Sequence, residues 1–125
     1  MYYTKDTIIF LNGRFSKAVD AHSDFYSQTL HYGMGVFEGI RAYDSALGPN
    51  AFRLPEHMRR LWDSCRVYRM EPSYTVAQLT DAVLETIRAN NFKSCYIRPL
   101  IYRGYSQLGV NPMPCPVDVA VVVWE

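Results

Sequence analysis

The run VDVAVVVW, from Val117 to Trp124, constrains this chain more than any other feature. Nearly continuous apolar and β-branched residues read as a strand buried on both faces, so the fold must offer it neighbours and cover. The chain ends at Trp124-Glu125, inside that apolar strand, whereas a domain commonly finishes in polar, frayed residues. This predicts a chain that is part of a longer protein, with the final strand left exposed and favouring self-association.

Other segments read as partners for that strand. Ser94 to Arg103 is strand-like, and a period of two puts Tyr96, Arg98, Leu100 and Tyr102 on one face. Ile8 to Leu11, then Asn12-Gly13, then Arg14-Phe15 reads as a hairpin. Glu38 to Asp44 and Ala51 to Leu54, joined through Gly48-Pro49-Asn50, read as a second one. Ser23 to Tyr32 predicts a short helix capped by Ser23 or Asp24 and stopped at Gly33.

Two longer helices follow. Pro55 suits a first helical turn, and Met58, Leu61, Trp62, Cys65 and Tyr68 recur on one side. After Glu71-Pro72-Ser73, Thr75 and Gln78 make a capping-box pattern ahead of Leu79, Val83 and Ile87. Tyr105 to Pro116 reads as a loop. The order of elements predicts an α+β fold: a two-layer sandwich, mostly antiparallel sheet with helices on one face.

A length of 125 residues suits one domain, 1–125, and the net charge of +1 with interspersed signs carries no signature for nucleic acid or an anionic membrane. Cys65, Cys95 and Cys115 are odd in number and widely spaced, suggesting neither a disulfide framework nor zinc, and a reducing cytosol is the default. His22, His31 and His57 lack metal-ligand spacing. No Rossmann glycine pattern, P-loop or GxSxG nucleophile motif is present.

Arg98 is the most informative residue for chemistry. A guanidinium inside a strand of alternating aromatic and apolar residues either belongs to an edge strand, paired to a protein carboxylate or lying along the surface, or, beside Tyr96, is poised to receive a ligand carboxylate. Arg60, away from the apolar stripe of its helix, reads either as solvated surface or as a phosphate ligand. In SQTLHYGMGVFEGIRAY, Tyr32, Phe37 and Tyr43 read as core aromatics. Gly33, Gly35 and Gly39 exceed what a hairpin needs and would let a flat ligand approach the backbone.

Together the blocks HYGMGVFEGIRAY, EHMRRL and YIRPLIYRG, in that order and separation, resemble the small N-terminal domain of branched-chain amino acid aminotransferases, fold-type IV enzymes that use pyridoxal phosphate. The likeness runs from about Phe10 to the end. It implies that Arg60 holds the cofactor phosphate, that Phe37 and Gly39 line the substrate side-chain pocket, and that Tyr96 lies near the substrate α-carboxylate. It also implies that Arg98, with Tyr32, receives the distal carboxylate of glutamate. Leu108-Gly109-Val110 would reach the neighbouring subunit's active site, which implies a homodimer, and the partners implied are small molecules, amino acids and 2-oxo acids.

Such a site needs an apolar wall for a branched side chain and one polar corner for glutamate. Leaving that corner unpaired costs about 1 to 3 kcal/mol per buried group, so Arg98 is expected to contact a tyrosine hydroxyl or water when glutamate is absent. The chemistry also needs a lysine joined to the cofactor and an acid that keeps the pyridine nitrogen protonated. Lys5, Lys17 and Lys93 stand in no segment resembling the family's lysine motif, which belongs to a larger C-terminal domain. This implies a chain inactive by itself. A D-amino acid aminotransferase or aminodeoxychorismate lyase of the same fold is the nearest alternative, and a non-enzymatic binding or assembly module the alternative of another class.

Overall fold

Asn12 and Gly13 both have positive φ, 47° and 87°, as a two-residue turn between right-twisted strands requires. They join β1 (Ile8–Leu11) to β2 (Arg14–Lys17), paired antiparallel from Ile8↔Lys17 to Leu11↔Arg14. The structure, a computed structural model, describes residues 2–125. The elements that follow are α1 (Gln28–Tyr32), β3 (Gly35–Phe37), β4 (Ile40–Tyr43), β5 (Asn50–Ala51), α2 (Leu54–Val67), α3 (Val76–Ala89), β6 (Cys95–Arg103) and β7 (Val117–Trp124).

All the strands join one sheet in the order β2-β1-β7-β6-β4-β5, with β3 beside β4 along the same edge of β6, and every pairing is antiparallel. The expected α+β sandwich is therefore found. The apolar run forms β7, paired along its length with β6 and at Val121 and Ala120 with β1. Exposure of this strand was the expectation from sequence, and the structure corrects it: β7 lies inside the sheet, with both neighbours present.

Burial on both faces is corrected as well. Val119, Val121 and Val123 are fully buried beneath α2 and α3, whereas Val122 and Trp124 on the other face are only half-buried. Both long helices lie on one side, α3 across β1, β6 and β7 and α2 against β3 and α3. Among the described residues the opposite face has no helical layer of that kind; Tyr2 meets Trp124 there edge to face.

Local chemistry explains the helix boundaries. The Thr75–Gln78 capping box is formed, with Thr75 Oγ1 accepting the Gln78 N–H and Gln78 Oε1 accepting the Thr75 N–H. Met58, Leu61, Cys65, Leu79, Val83 and Ile87 fill the core, each large aliphatic side chain contributing about 1.5 to 3 kcal/mol. Tyr68 leaves this stripe: it sits just past the end of α2 and is exposed. The helix expected over Ser23 to Tyr32 is reduced to α1 because Asp24 Oδ1 accepts the Tyr26 N–H at 2.7 Å, holding 24–26 in a turn. Gly33, φ 67°, closes α1 as expected. The strand expected over Ala51 to Leu54 ends at Ala51, since Arg53 adopts a left-handed conformation and α2 begins at Leu54.

Arg103, at the end of β6, turns its guanidinium inward. It donates to the carbonyls of Cys115 (2.7 Å), Arg69 (2.8 Å) and Met113 (3.4 Å), fastening residues 104–116 to the end of α2.

Candidate active site

The edge of the sheet from Val36 to Ile40 organises the site. β3 and β4 pair with β6 in one register, Phe37↔Leu100 and Ile40↔Ile97, so no residue is inserted between them. The strand expected over Glu38 to Asp44 is nevertheless shortened to β4, Ile40–Tyr43, and set apart from β3 at Glu38–Gly39, because Pro99 stands opposite Glu38 and has no N–H to give; Glu38 donates its own N–H to the Pro99 carbonyl at 3.2 Å. Alternation then sends Val36, Glu38 and Ile40 toward the helices and Phe37 to the open face.

On that open face Phe37, Gly39, Tyr96 and Arg98 come together. The Arg98 guanidinium carbon lies 4.3 Å from the Phe37 ring centroid, and its Nη2 donates to the Tyr96 hydroxyl at 3.3 Å. That hydroxyl is the contact expected for Arg98 without glutamate. Its Nε is buried without a hydrogen-bond partner, and no carboxylate among the described residues forms an ion pair with it. Tyr96 stacks on Trp124 with centroids 4.7 Å apart. Gly39 is needed because a Cβ there would overlap the Tyr96 hydroxyl. The space at this glycine thus serves a tyrosine rather than a flat ligand.

Two grooves flank the Phe37–Arg98 pair. One of about 640 Å³ is lined by Tyr96, Arg98, Val122 and Trp124. The other, about 480 Å³, is lined by Phe37, Leu100, Tyr102 and Gly35. Tyr32, Phe37 and Tyr43 are all exposed, correcting their reading as core aromatics. The sheet face opposite the helices carries Phe37 and Tyr43, and Tyr32 ends the short α1.

Beneath the same edge, Glu38 is buried and Arg60 reaches it from α2. Arg60 donates from Nε to Oε1 and from Nη2 to Oε2 of Glu38, both at 2.6 Å, and His57 Nδ1 lies 2.8 Å from Oε2. Burial pushes the Glu38 carboxyl up, but the Arg60 and His57 hydrogen bonds and charges outweigh it and hold it below the ordinary carboxylate value. The Arg60 guanidinium is in turn raised by Glu38. The side chain of Arg60 stays 67% exposed, and with Arg53, Glu56 and His57 it lines a hollow of about 290 Å³.

Tyr32 and Leu108-Gly109-Val110 lie in a third group around α1. Buried Gln28 donates from Nε2 to the carbonyls of Gln107 (3.2 Å) and Gly109 (2.7 Å), tying the loop to α1. Tyr32, Leu108 and Val110 are exposed, and no hydrogen bond among the described residues joins Tyr32 to Arg98. Glu38, Gln28 and Arg103 escaped the sequence reading. Glu38 had a signal: period two places it on the core face of an apolar strand, where a carboxylate needs a cation. Among the described residues, no group of three or more His, Cys, Asp or Glu could hold a metal ion, and no helix is long and apolar enough to cross a membrane.

Residues 35–124 match the family model for amino-transferase class IV. The chain belongs to the class IV aminotransferases. It is 47% identical over 123 residues to the branched-chain-amino-acid aminotransferase of Salmonella typhimurium, covering 96% of this chain and 40% of that protein. With the Escherichia coli K12 protein of the same name it shares 48% over 119 residues, 95% of this chain and 38% of that one. The branched-chain amino acid aminotransferase from T.th., solved in complex with N-(5'-phosphopyridoxyl)-L-glutamate, superposes with a TM-score of 0.94 at 46% identity, over 98% of this chain and 41% of that one. The chain thus spans about 40% of the length of these relatives. The segment matched by the class IV model takes in Phe37, Gly39, Arg60, Tyr96, Arg98 and the 108–110 loop, and begins after Tyr32.

Proposed function

We propose that this chain is the small domain, residues 1–125, of a pyridoxal-phosphate-dependent aminotransferase that exchanges an amino group between leucine, isoleucine or valine and 2-oxoglutarate. The observation that carries the substrate reading is Arg98. It is a half-buried guanidinium on an apolar face, with an unsatisfied Nε and only a tyrosine hydroxyl and aromatic rings for company. A planar donor in that setting suits a dicarboxylate's second carboxyl group, while the Phe37 ring beside it suits a branched aliphatic side chain.

The residues present fit the cofactor's phosphate. Arg60 uses Nε and Nη2 on Glu38, with Nη2 also 3.5 Å from His57 Nδ1; its Nη1 makes no hydrogen bond among the described residues, and the exposed side chain lines the hollow shared with Arg53 and His57. The bound cofactor supplies an electron sink for the bonds at the substrate's α-carbon. This chain's part is binding and selection: Arg60 holds phosphate, Phe37 and Gly39 border the side-chain pocket, Tyr96 lies near the α-carboxylate, and Arg98 with Tyr32 takes the distal carboxylate. The lysine and the acid for the pyridine nitrogen come from sequence outside this chain, so the 125 residues alone are inactive. The reading includes a cytoplasmic homodimer, its 108–110 loop reaching the neighbouring subunit.

A donor panel on the complete enzyme with 2-oxoglutarate tests this. Turnover with L-leucine, L-isoleucine and L-valine, and little with D-alanine, is the expected result. Preference for D-alanine, or lyase activity on aminodeoxychorismate without amino transfer, would overturn it.

A further inference from the structure

We infer that Glu38 is a positioning residue that orients Arg60 toward the phosphate of the cofactor, and that the buried carboxylate, rather than the helix, sets the direction of that guanidinium. The inference rests on Arg60 being the phosphate ligand proposed above. Arg60 stands on the solvated side of α2 with a side chain 67% exposed, and a long flexible arginine in that position ordinarily samples many rotamers. Here both oxygens of a carboxylate with only 5% exposure grip Nε and Nη2, a two-point planar contact that leaves the fork of donors one orientation. His57 Nδ1, one helical turn earlier, holds the same Oε2 at 2.8 Å. Glu38 is itself fixed by the Phe37–Gly39 backbone, whose register on β6 is unbroken.

Two consequences follow from this geometry. The guanidinium is already held by Glu38 and its Nη1 makes no hydrogen bond among the described residues, so the ordering cost is met before binding, which is where a preorganised donor gains over a mobile one. The cofactor end of the site is also joined to the substrate end through adjacent residues. Phe37 lies against Arg98 on one face of the edge, and Glu38 holds Arg60 beneath it.

The test compares affinities of the complete apoenzyme for pyridoxal phosphate and for pyridoxal, which lacks the phosphate, followed by cofactor absorbance. Glu38→Gln keeps the side chain's shape and one acceptor but removes the charge and the two-point grip. It is expected to weaken pyridoxal phosphate binding by roughly tenfold or more while pyridoxal binding stays within about twofold. Should Glu38→Gln fail to fold, Glu38→Asp keeps the buried charge but withdraws it from the guanidinium, and the same selective loss is expected. Equal losses for both ligands, or no loss for either, would overturn the inference. Arg60→Ala separates it from the reading beneath it. If Arg60→Ala removes the advantage of the phosphorylated ligand and the Glu38 variants do not, Glu38 has no positioning role. If Arg60→Ala leaves that advantage intact, Arg60 is not the phosphate ligand, and both fall.

Discussion

Phe37 and Arg98 meet face to cation, the guanidinium carbon 4.3 Å above the ring centroid, on neighbouring strands of the open sheet face. The ring offers Arg98 an electrostatic resting place of about 0.5 to 2 kcal/mol without the charge of a carboxylate. A guanidinium parked on an aromatic ring stays available to a ligand carboxylate, whereas one locked to Asp or Glu would have to be released first.

Arg98→Ala in the complete enzyme is therefore expected to separate the two half-reactions. With glutamate the loss of a charge-assisted contact should lower kcat/KM on the order of 100-fold, while leucine should lose less than about tenfold. Steady-state kinetics with each donor measure this. Equal losses would remove the distal-carboxylate role from Arg98.

Gly39 and Tyr96 form a second coupled pair, since a Cβ at Gly39 would overlap the tyrosine hydroxyl. Gly39→Ala must push Tyr96 off its stack on Trp124 and is expected to destabilise by about 1 to 3 kcal/mol. Tyr96→Phe removes the obstructing oxygen. Adding it to Gly39→Ala should recover stability, so denaturation midpoints of the four proteins in a double-mutant cycle should show coupling. Simple additivity would mean that the sheet edge yields instead of the ring.

These pairs also mark how far the sequence was legible. Periodicity and turn chemistry located the first hairpin, both long helices, the capping box and the polar face of β6, because each is decided by residues a few positions apart. The split at Glu38–Gly39 was not legible, since its cause is Pro99, some sixty residues away in sequence and opposite only after the strands pair. Burial of β7 was half legible: the run of valines marks a covered strand, but which face the helices cover depends on the whole sheet. Arg98 and Arg60 stood out as charges in telling places. Their partners did not, because Glu38 and Tyr96 acquire meaning only through contacts between strands and helix.

The acid side of stability should depend on Glu38. Its folded-state carboxyl is held below the ordinary value of 4.5, so the unfolded chain binds this proton more readily than the folded one. The contribution is fully present above the unfolded-state value and is lost as pH falls through the lower folded-state value. Denaturant midpoints followed downward from neutral pH should fall along this limb in the native sequence. Glu38→Gln should be less stable at neutral pH and show a shallower acid decline; an unchanged slope would mean that other carboxylates carry the acid sensitivity.

Arg103 provides the last test, of the loop rather than the site. It is buried, and its donors satisfy carbonyls of Arg69, just past α2, and of Met113 and Cys115 in the 104–116 loop. Arg103→Met has similar length and no donor, leaving those carbonyls unmet at about 1 to 3 kcal/mol for each that stays dry. Arg103→Lys should recover only part, because an ammonium is a point donor and cannot span carbonyls set around a planar fork. Hydrogen exchange separates local from global damage. The amides of Gly104 and Cys115, which bond to the Pro116 and Pro112 carbonyls, should lose protection in Arg103→Met before those of β6 and β7 do. Uniform loss across the sheet would make Arg103 a support of the whole domain instead of the clamp on residues 104–116.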